Sequence, residues 1–439
     1  MTETRAGGEP PADDYLTAPE AAERLGVKLP TLYSYASRGL IQSVPGGPRS
    51  RRYRRADLER LCARRAARAG HGPAAASALQ WGEPVLDTRI TSISLGLGPQ
   101  YRGRSAVELA AADVPFEVVA DLLWDPASPP PGVELDSEPP ATWTDLTNAS
   151  LGFDPVLVAN LLSVDPPGIP PLSMLALQVP LLAAGDAGRF GQEPERVRSR
   201  ARLLIKRMAC GLSGVFAPDD LERTLAANSI AETLARALAA DCGVDGVRAL
   251  NRALVLVADH ELNASTFAAR VAASTGADLY SCIQAAVATL SGPRHGGATD
   301  RVEALLAEIG ARGTAETVVH ARRRRGERVD GFGHPLYVDG DPRGGALMGL
   351  ARELAGDRPA VRRCLAVAES VATPPNLDFG LVTLSSALGL PRGAAAGLFA
   401  VGRCAGWVAH VLEQVQAGYL VRPRARYTGW RDSVDPSSE

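Results

Sequence analysis

From about Trp81 onward the chain is one long Ala/Leu-rich body whose apolar residues mostly recur at helical spacing, as in Leu203, Met208 and Leu212 or Leu250, Leu254 and Val257. Such stripes must be covered by other helices, so a nearly all-helical body is expected. Strand signals are few, apart from an early hairpin expected around "VLDTRITSISL", Val85 to Leu95. The proline clusters between Asp125 and Trp143 read as a surface insertion between helices. The longest apolar run, Ala394 to Leu412, approaches membrane-span length, but Arg403 and His410 interrupt it. A buried helix is therefore expected, and no membrane partner. The six cysteines are scattered without CxxC spacing, which points to reduced thiols in a cytoplasmic protein rather than to disulfides or a metal site.

With 439 residues the chain has room for more than one domain, and its charge is unevenly spread. Residues 1–14 have no hydrophobic core behind their charges and read as a disordered lead-in rather than a signal peptide. Residues 15–70 form a basic module. In it Thr17 and Glu20 have capping-box spacing after the apolar Leu16, and Gly26 ends the first helix. A second helix starts near Pro30, sets Leu29, Leu32 and Ala36 on one face and Tyr33, Ser34, Ser37 and Arg38 on the other, and stops at Gly39. Two extended pieces joined at Pro-Gly-Gly follow, then a helix with Leu58 and Leu61 inward. This helix-turn-helix with a wing resembles the DNA-binding domain of MerR-type regulators. Tyr33, Arg38, Arg51 and Arg52 are the candidate DNA contacts, Arg49, Arg54 and Arg55 add wing charge, and a solvated basic surface is the plainer alternative. A linker is expected at 71–80.

Three glycine- or asparagine-framed histidines stand out in the body: His260 in "DHELNASTF", His295 in "GPRHGGA" and His334 in "GFGHPLY", with Asp378 in "PNLDFG". Glycine and proline place these rings at backbone bends, where they can project into a cleft. The letters exclude other chemistries. His260-Glu261 lacks the second histidine of HExxH, no GxSxG elbow occurs, and the GxG stretches lack dinucleotide-binding context. A carboxylate with histidines suits enolisation of a weak carbon acid: the carboxylate takes a proton and imidazole N–H stabilises the enolate oxygen. Arginines match the carboxylates of an acceptor two-pronged. Arg403, set in an apolar helix, needs either an intramolecular carboxylate or an anionic ligand.

These motifs, with "YRGRSAVELA", "DPR", "GRCAGWVAHVLEQ" and "RPRARYTG" in order, resemble the citrate synthase family from about Trp81 to Tyr427. The resemblance implies that His295 stabilises the enol of acetyl-CoA, Asp378 removes the methyl proton and His334 polarises the oxaloacetate carbonyl. It implies that His260, Arg343, Arg403 and Arg422 bind substrate carboxylates, the last across a dimer interface. Arg324, Arg325 and Arg328, in the basic run before "GFGH", would take coenzyme A phosphates or only solvate a helix end. The implied fold is all-α, with a large domain at 81–297 and 377–439 and a small domain at 298–376 that closes over substrate. The implied protein is a homodimeric acyltransferase with acetyl-CoA as cosubstrate and no permanently bound cofactor. Its neighbouring alternatives are a 2-methylcitrate synthase using propionyl-CoA and a DNA-binding, metabolite-sensing regulator. The chain departs from common family members at Arg294 and at Pro335, in "GFGHPLYV" where "GFGHRVYK" is usual. The glycines of "GPRHGGA" are expected to let substrate approach the backbone.

Overall fold

The computed structural model describes residues 15–38, 40–47, 50–55, 57–58, 86–94, 96–144, 169–212, 223–238 and 242–423. The lead-in, the linker, Gly39, Arg49 and Leu61 lie outside the described residues. The chain falls into two units, one containing residues 1–87 and 424–439, the other Thr88–Pro423.

In the first unit β1 (Tyr15–Thr17), α1 (Ala18–Leu25), α2 (Leu29–Ser37), β2 (Ser43–Gly47) and β3 (Ser50–Arg54) follow in order. The antiparallel sheet has the order β1-β3-β2. The expected capping box forms, and in it the Glu20 carboxylate accepts both the Thr17 backbone N–H and its hydroxyl, each at 2.8 Å. Gly26 takes a left-handed φ of 59°, which ends α1 at low cost only for glycine. Ala21, Ala22, Leu25, Leu32, Ile41, Tyr53 and Leu58 form a small separate core. Strand alternation sends Tyr53 inward and Arg52 and Arg54 to the other face. Two expectations need correcting. Leu29 is exposed rather than packed with Leu32, and Pro45, Gly46 and Gly47 run along β2 instead of forming the turn. Gly46 has a use there, since a Cβ would lie 2.8 Å from the Arg52 side chain that crosses it.

The second unit opens with β4 (Thr91–Ser94), β5 (Gly98–Tyr101) and β6 (Arg104–Ser105), an antiparallel sheet in that order. The expected hairpin is thus real but displaced, because the partner of "TSIS" lies beyond Leu95. Helices follow: α3 (Ala106–Ala111), α4 (Phe116–Trp124), α5 (Ala141–Thr144), α6 (Pro171–Gly185), α7 (Pro194–Gly211), α8 (Ile230–Ala237), α9 (Gly243–Val257), α10 (Ala264–Ser274), α11 (Leu279–Leu290), α12 (Ala298–Arg312), α13 (Ala315–Arg324), α14 (Pro342–Ala355), α15 (Pro359–Ser370), α16 (Leu377–Leu388) and α17 (Ala394–Ala417). The proline-rich insertion is anchored rather than loose. Arg104 donates to the carbonyls of Pro129, Pro130 and Val133, and Trp143 stacks on Trp124 of α4 with centroids 5.6 Å apart.

Helix α17 is the axis of this unit. Its most apolar stretch is 94% buried, with α4, α6, α7, α9, α10 and α11 packed around it. Small residues permit this closeness: a Cβ on Gly402 would meet Val257 at 2.4 Å and one on Gly406 the Asp259 carboxylate at 2.2 Å. The expected reading of this run as a core helix holds.

Candidate active site

The glycine- and proline-rich motifs are loops stitched to one another. Gly333 N–H donates to Pro374 O, Asn376 N–H to Gly331 O and Asn376 Nδ2 to Gly333 O, at 3.0, 2.9 and 3.2 Å. Gly331 and Gly333 hold φ values of 89° and 73° that other residues rarely adopt. The pairing sets His334 of "GFGH" beside the start of α16, which carries Asp378. A third strand of the knot is the "DPR" turn, where Asp341 Oδ2 accepts from Leu377 N–H at 3.3 Å.

Each motif also begins a helix. Asn263 caps α10, Asp341 caps α14 and Asn376 caps α16 through side-chain oxygens that accept first-turn N–H groups. Ser265, Arg343 and Asp378 therefore sit in first turns, and His295 lies just ahead of α12, separated from it by Gly296 and Gly297. The unsatisfied N–H ends of these helices carry partial positive charge, which favours anionic ligands.

His260, His334, Tyr337 and Arg343 form a tight group. The His260 and His334 ring centroids are 5.5 Å apart, His260 Nε2 is 2.8 Å from the Tyr337 hydroxyl, and the Arg343 guanidinium lies 5.5 Å over the Tyr337 ring. Arg343 is buried and forked onto Asp341 at 2.9 and 2.8 Å. His334 Nδ1 accepts from Leu336 N–H at 3.1 Å, so the neutral ring carries its proton on Nε2 and can donate there. Burial, then the Arg343 charge, pushes His334 down to about 4. His260 is held well below its ordinary value by burial, then by Arg343, Arg403, His334 and His295. These rings are neutral at pH 7.

His295 is held from behind. Its Nε2 is 2.8 Å from Ser265 Oγ, which accepts from Trp407 Nε1–H at 3.1 Å and also lies 2.8 Å from Asn263 Oδ1. The serine donates its one proton to Asn263 Oδ1, and the tautomer of His295 sets whether Nε2 donates to the serine oxygen or competes for that proton. Phe399 packs edge-on against His295, with centroids 6.1 Å apart, and its ring lies 4.6 Å from the Arg403 guanidinium carbon. Burial, then Arg403, pushes His295 down to about 4. Its two glycines have a packing task. A Cβ on Gly296 would strike Leu290, and one on Gly297 the carbonyls of Ser291 and Gly292, so both permit the chain to fold tightly over the end of α11.

Arg403 is 1% exposed and has no carboxylate in ion-pair range among the described residues, its Nε donating to Val257 O at 2.7 Å. Burial lowers it to about 10, so it remains charged at pH 7. Of the two explanations open for a charge in this helix, an internal salt bridge is absent among the described residues. Asp378 moves the other way. Burial pushes its carboxyl up to about 6, opposed by Arg343 and reinforced by Asp341.

The structure therefore gathers His260, His295, His334, Arg343, Arg403 and Asp378, each within electrostatic reach of Arg343, Arg403 or both. It does not gather the rest. Arg422 is exposed after α17 and shares no hydrogen bond or ion pair with this group among the described residues. Arg324 and Arg328 are exposed on and after α13, whereas the Arg325 fork is taken by Glu327 at 2.5 and 2.9 Å. Arg294 and Pro335 are exposed. In the first unit Tyr33, Arg38 and Arg51 are exposed and Arg52 is half-buried over Gly46. Sequence reasoning missed Tyr337, Ser265, Trp407, Phe399 and the three caps. The caps had a legible signal, an Asn or Asp just before a helical run. The others had none.

The family described as "Citrate synthase, C-terminal domain" matches residues 78–424, and "Helix-turn-helix domain" matches residues 15–75. The chain is 43% identical to Citrate synthase 2 of Bacillus subtilis over 190 residues, 42% of this chain and about half, 51%, of that relative. Identity to the citrate synthase of Haloferax volcanii is 35% over 79% of this chain and 94% of the relative. For the 2-methylcitrate synthase 1 of Corynebacterium glutamicum it is 31% over 77% and 91%. Among solved structures, the Thermoplasma acidophilum citrate synthase in ternary complex with carboxymethyl coenzyme A and oxaloacetate superposes with a TM-score of 0.67 at 28% identity, covering 80% of this chain and 95% of that one. A matched domain that spans most of the chain, a relative matched almost end to end and the knot of histidines, arginines and Asp378 agree: the chain belongs to the citrate synthase family and carries a helix-turn-helix domain at its N-terminal end.

Proposed function

We propose that this chain condenses acetyl-CoA with oxaloacetate, giving citrate and coenzyme A. The observation that carries the reading is a buried carboxyl, raised to about 6, that shares the Arg343 charge with the neutral His334 ring, together with a buried arginine, Arg403, that has no carboxylate in ion-pair range among the described residues. Arg403, Arg343 and His260 hold the carboxylates of the keto-diacid, helped by the helix N-termini. Asp378 takes a proton from the acetyl methyl, and the electron pair moves onto the thioester oxygen, which accepts a hydrogen bond from His295. For His295 to donate from Nδ1, its Nε2 must accept a hydrogen bond from the Ser265 hydroxyl, turned away from Asn263 Oδ1. The enol carbon then attacks the keto carbon, and His334 Nε2–H polarises the keto oxygen and stabilises the charge that develops on it as the bond forms. Water hydrolyses the resulting citryl-CoA.

In this reading residues 298–376 close over the substrates and exclude water, Arg324 and Arg328 meet coenzyme A phosphates, and Arg422 completes the partner subunit's site in a cytoplasmic homodimer. Acetyl-CoA is a cosubstrate, and no cofactor stays bound. Mixing the purified protein with oxaloacetate and acetyl-CoA is expected to release thiol at a rate proportional to enzyme. No release above background with acetyl-CoA or propionyl-CoA would overturn the assignment. A methylene is worth only about 1–3 kcal/mol, so propionyl-CoA is the neighbouring substrate and the ratio of the two rates decides between citrate and 2-methylcitrate synthesis.

The N-terminal domain supports a second activity, DNA binding, because Tyr33 and Arg38 are exposed on and beside α2 while Arg51, Arg52 and Arg54 load one strand of the wing. Retention of duplex DNA in a gel shift is expected to fall with rising salt and to weaken in an Arg51→Ala/Arg52→Ala variant. Retention unaffected by both would assign the basic surface to solvation.

A further inference from the structure

The mechanism leaves one buried ionisable pair unused. Asp259 and His410 are each 0% exposed, with His410 Nε2 3.3 Å from Asp259 Oδ2. Asp259 directly precedes His260, and the same Oδ2 accepts from Glu261 N–H at 3.2 Å, so the carboxylate spans the peptide units on either side of the histidine. That span holds Glu261 at φ 53°, a left-handed conformation costly for a residue with a Cβ. The backbone of Asp259 is fixed independently: its N–H donates to the Tyr101 hydroxyl at 3.2 Å, and that hydroxyl donates to Val255 O at 2.9 Å.

The clamp belongs to α17. Arg403 donates to Val257 O at 2.7 Å, Gly406 N–H to Ala258 O at 2.9 Å, and His410 meets Asp259. Residues 403, 406 and 410 recur at helical spacing and form one stripe, so a single helix face grips successive residues of the segment leading to His260. Asp259 is also the carboxylate that most favours the Arg403 charge.

We propose that His410 is a positioning residue which, by holding the Asp259 carboxylate, sets the His260 ring and the Arg403 guanidinium at the spacing that fits the two carboxylates of the keto-diacid. The role rests on the substrate reading above and goes beyond it, since His410 is fully buried and takes no part in that chemistry. Site geometry is sensitive at this scale, where a displacement of about 1 Å costs up to about a hundredfold in rate, and two-pronged bonds to a carboxylate depend on the same alignment.

The test compares His410→Leu, which keeps bulk without a donor, with His410→Gln, whose amide can still reach Asp259. Oxaloacetate binding is measured by calorimetry, steady-state KM for both substrates is determined, and thermal midpoints verify folding. His410→Leu is expected to weaken oxaloacetate binding about tenfold or more, with KM for acetyl-CoA unchanged, and His410→Gln to restore most of the loss. Should the leucine variant not fold, His410→Asn, too short to reach Asp259, takes its place against His410→Gln. Equal oxaloacetate affinity in wild type and the donor-less variant, or a glutamine variant no better than it, overturns the positioning role. A wild-type protein that binds no oxaloacetate would instead overturn the reading of the site on which it rests.

Discussion

Replacing Asp378 by asparagine is expected to lower kcat by about 10²- to 10⁴-fold while leaving oxaloacetate binding nearly intact. The amide keeps the shape and cannot accept the methyl proton. The buried carboxyl, raised to about 6, also fixes a pH dependence. It must be ionised to act, so kcat/KM of the wild type is expected to fall with decreasing pH, with a midpoint at about 6, and to hold steady above it. The histidines do not add to this limb, since burial and neighbouring arginines keep His295 and His334 neutral down to about 4. A rate profile together with single-turnover thiol release reads both effects. An asparagine variant with wild-type kcat would remove Asp378 from proton transfer.

Substituting Arg403 by methionine is expected to separate stability from function. Truncating one member of a buried, hydrogen-bonded charge pair costs about 2–5 kcal/mol of binding, so oxaloacetate affinity should fall by about 30-fold or more. Yet among the described residues no carboxylate stands in ion-pair range of this charge, and methionine fills similar space with no charge to desolvate. The thermal midpoint without ligand is therefore expected to stay level or rise, offset in part by loss of the bond to Val257 O. Stabilisation by added oxaloacetate should vanish. Loss of stability with affinity retained would make Arg403 a structural residue.

The helical body, the buried α17 and the six converging residues were legible because period, glycine punctuation and order of motifs all survive in one dimension. What sequence hides is pairing at a distance. No spacing tells that "GFGH" lies against "PPN", or that Tyr337 stands between His260 and Arg343. Trp407 and Phe399 looked like ordinary core residues on an apolar helix, which they also are. The hairpin was misplaced because its second strand, "GPQY", lacks alternation and β-branched residues. Arg325 looked available because its partner, Glu327, is only two residues away, across the turn after α13, where letters show charge but not direction.

One rod, α17, carries Phe399 against His295, Trp407 behind the serine that holds it, Arg403 on the Val257 carbonyl and His410 under Asp259. An α-helix advances about 100° per residue, so inserting or deleting a single amino acid between 399 and 410 would swing everything downstream to another side of the cylinder. Both halves of the chemistry would come apart together. This stretch can drift in composition but not in count, a constraint that a loop-borne site would escape.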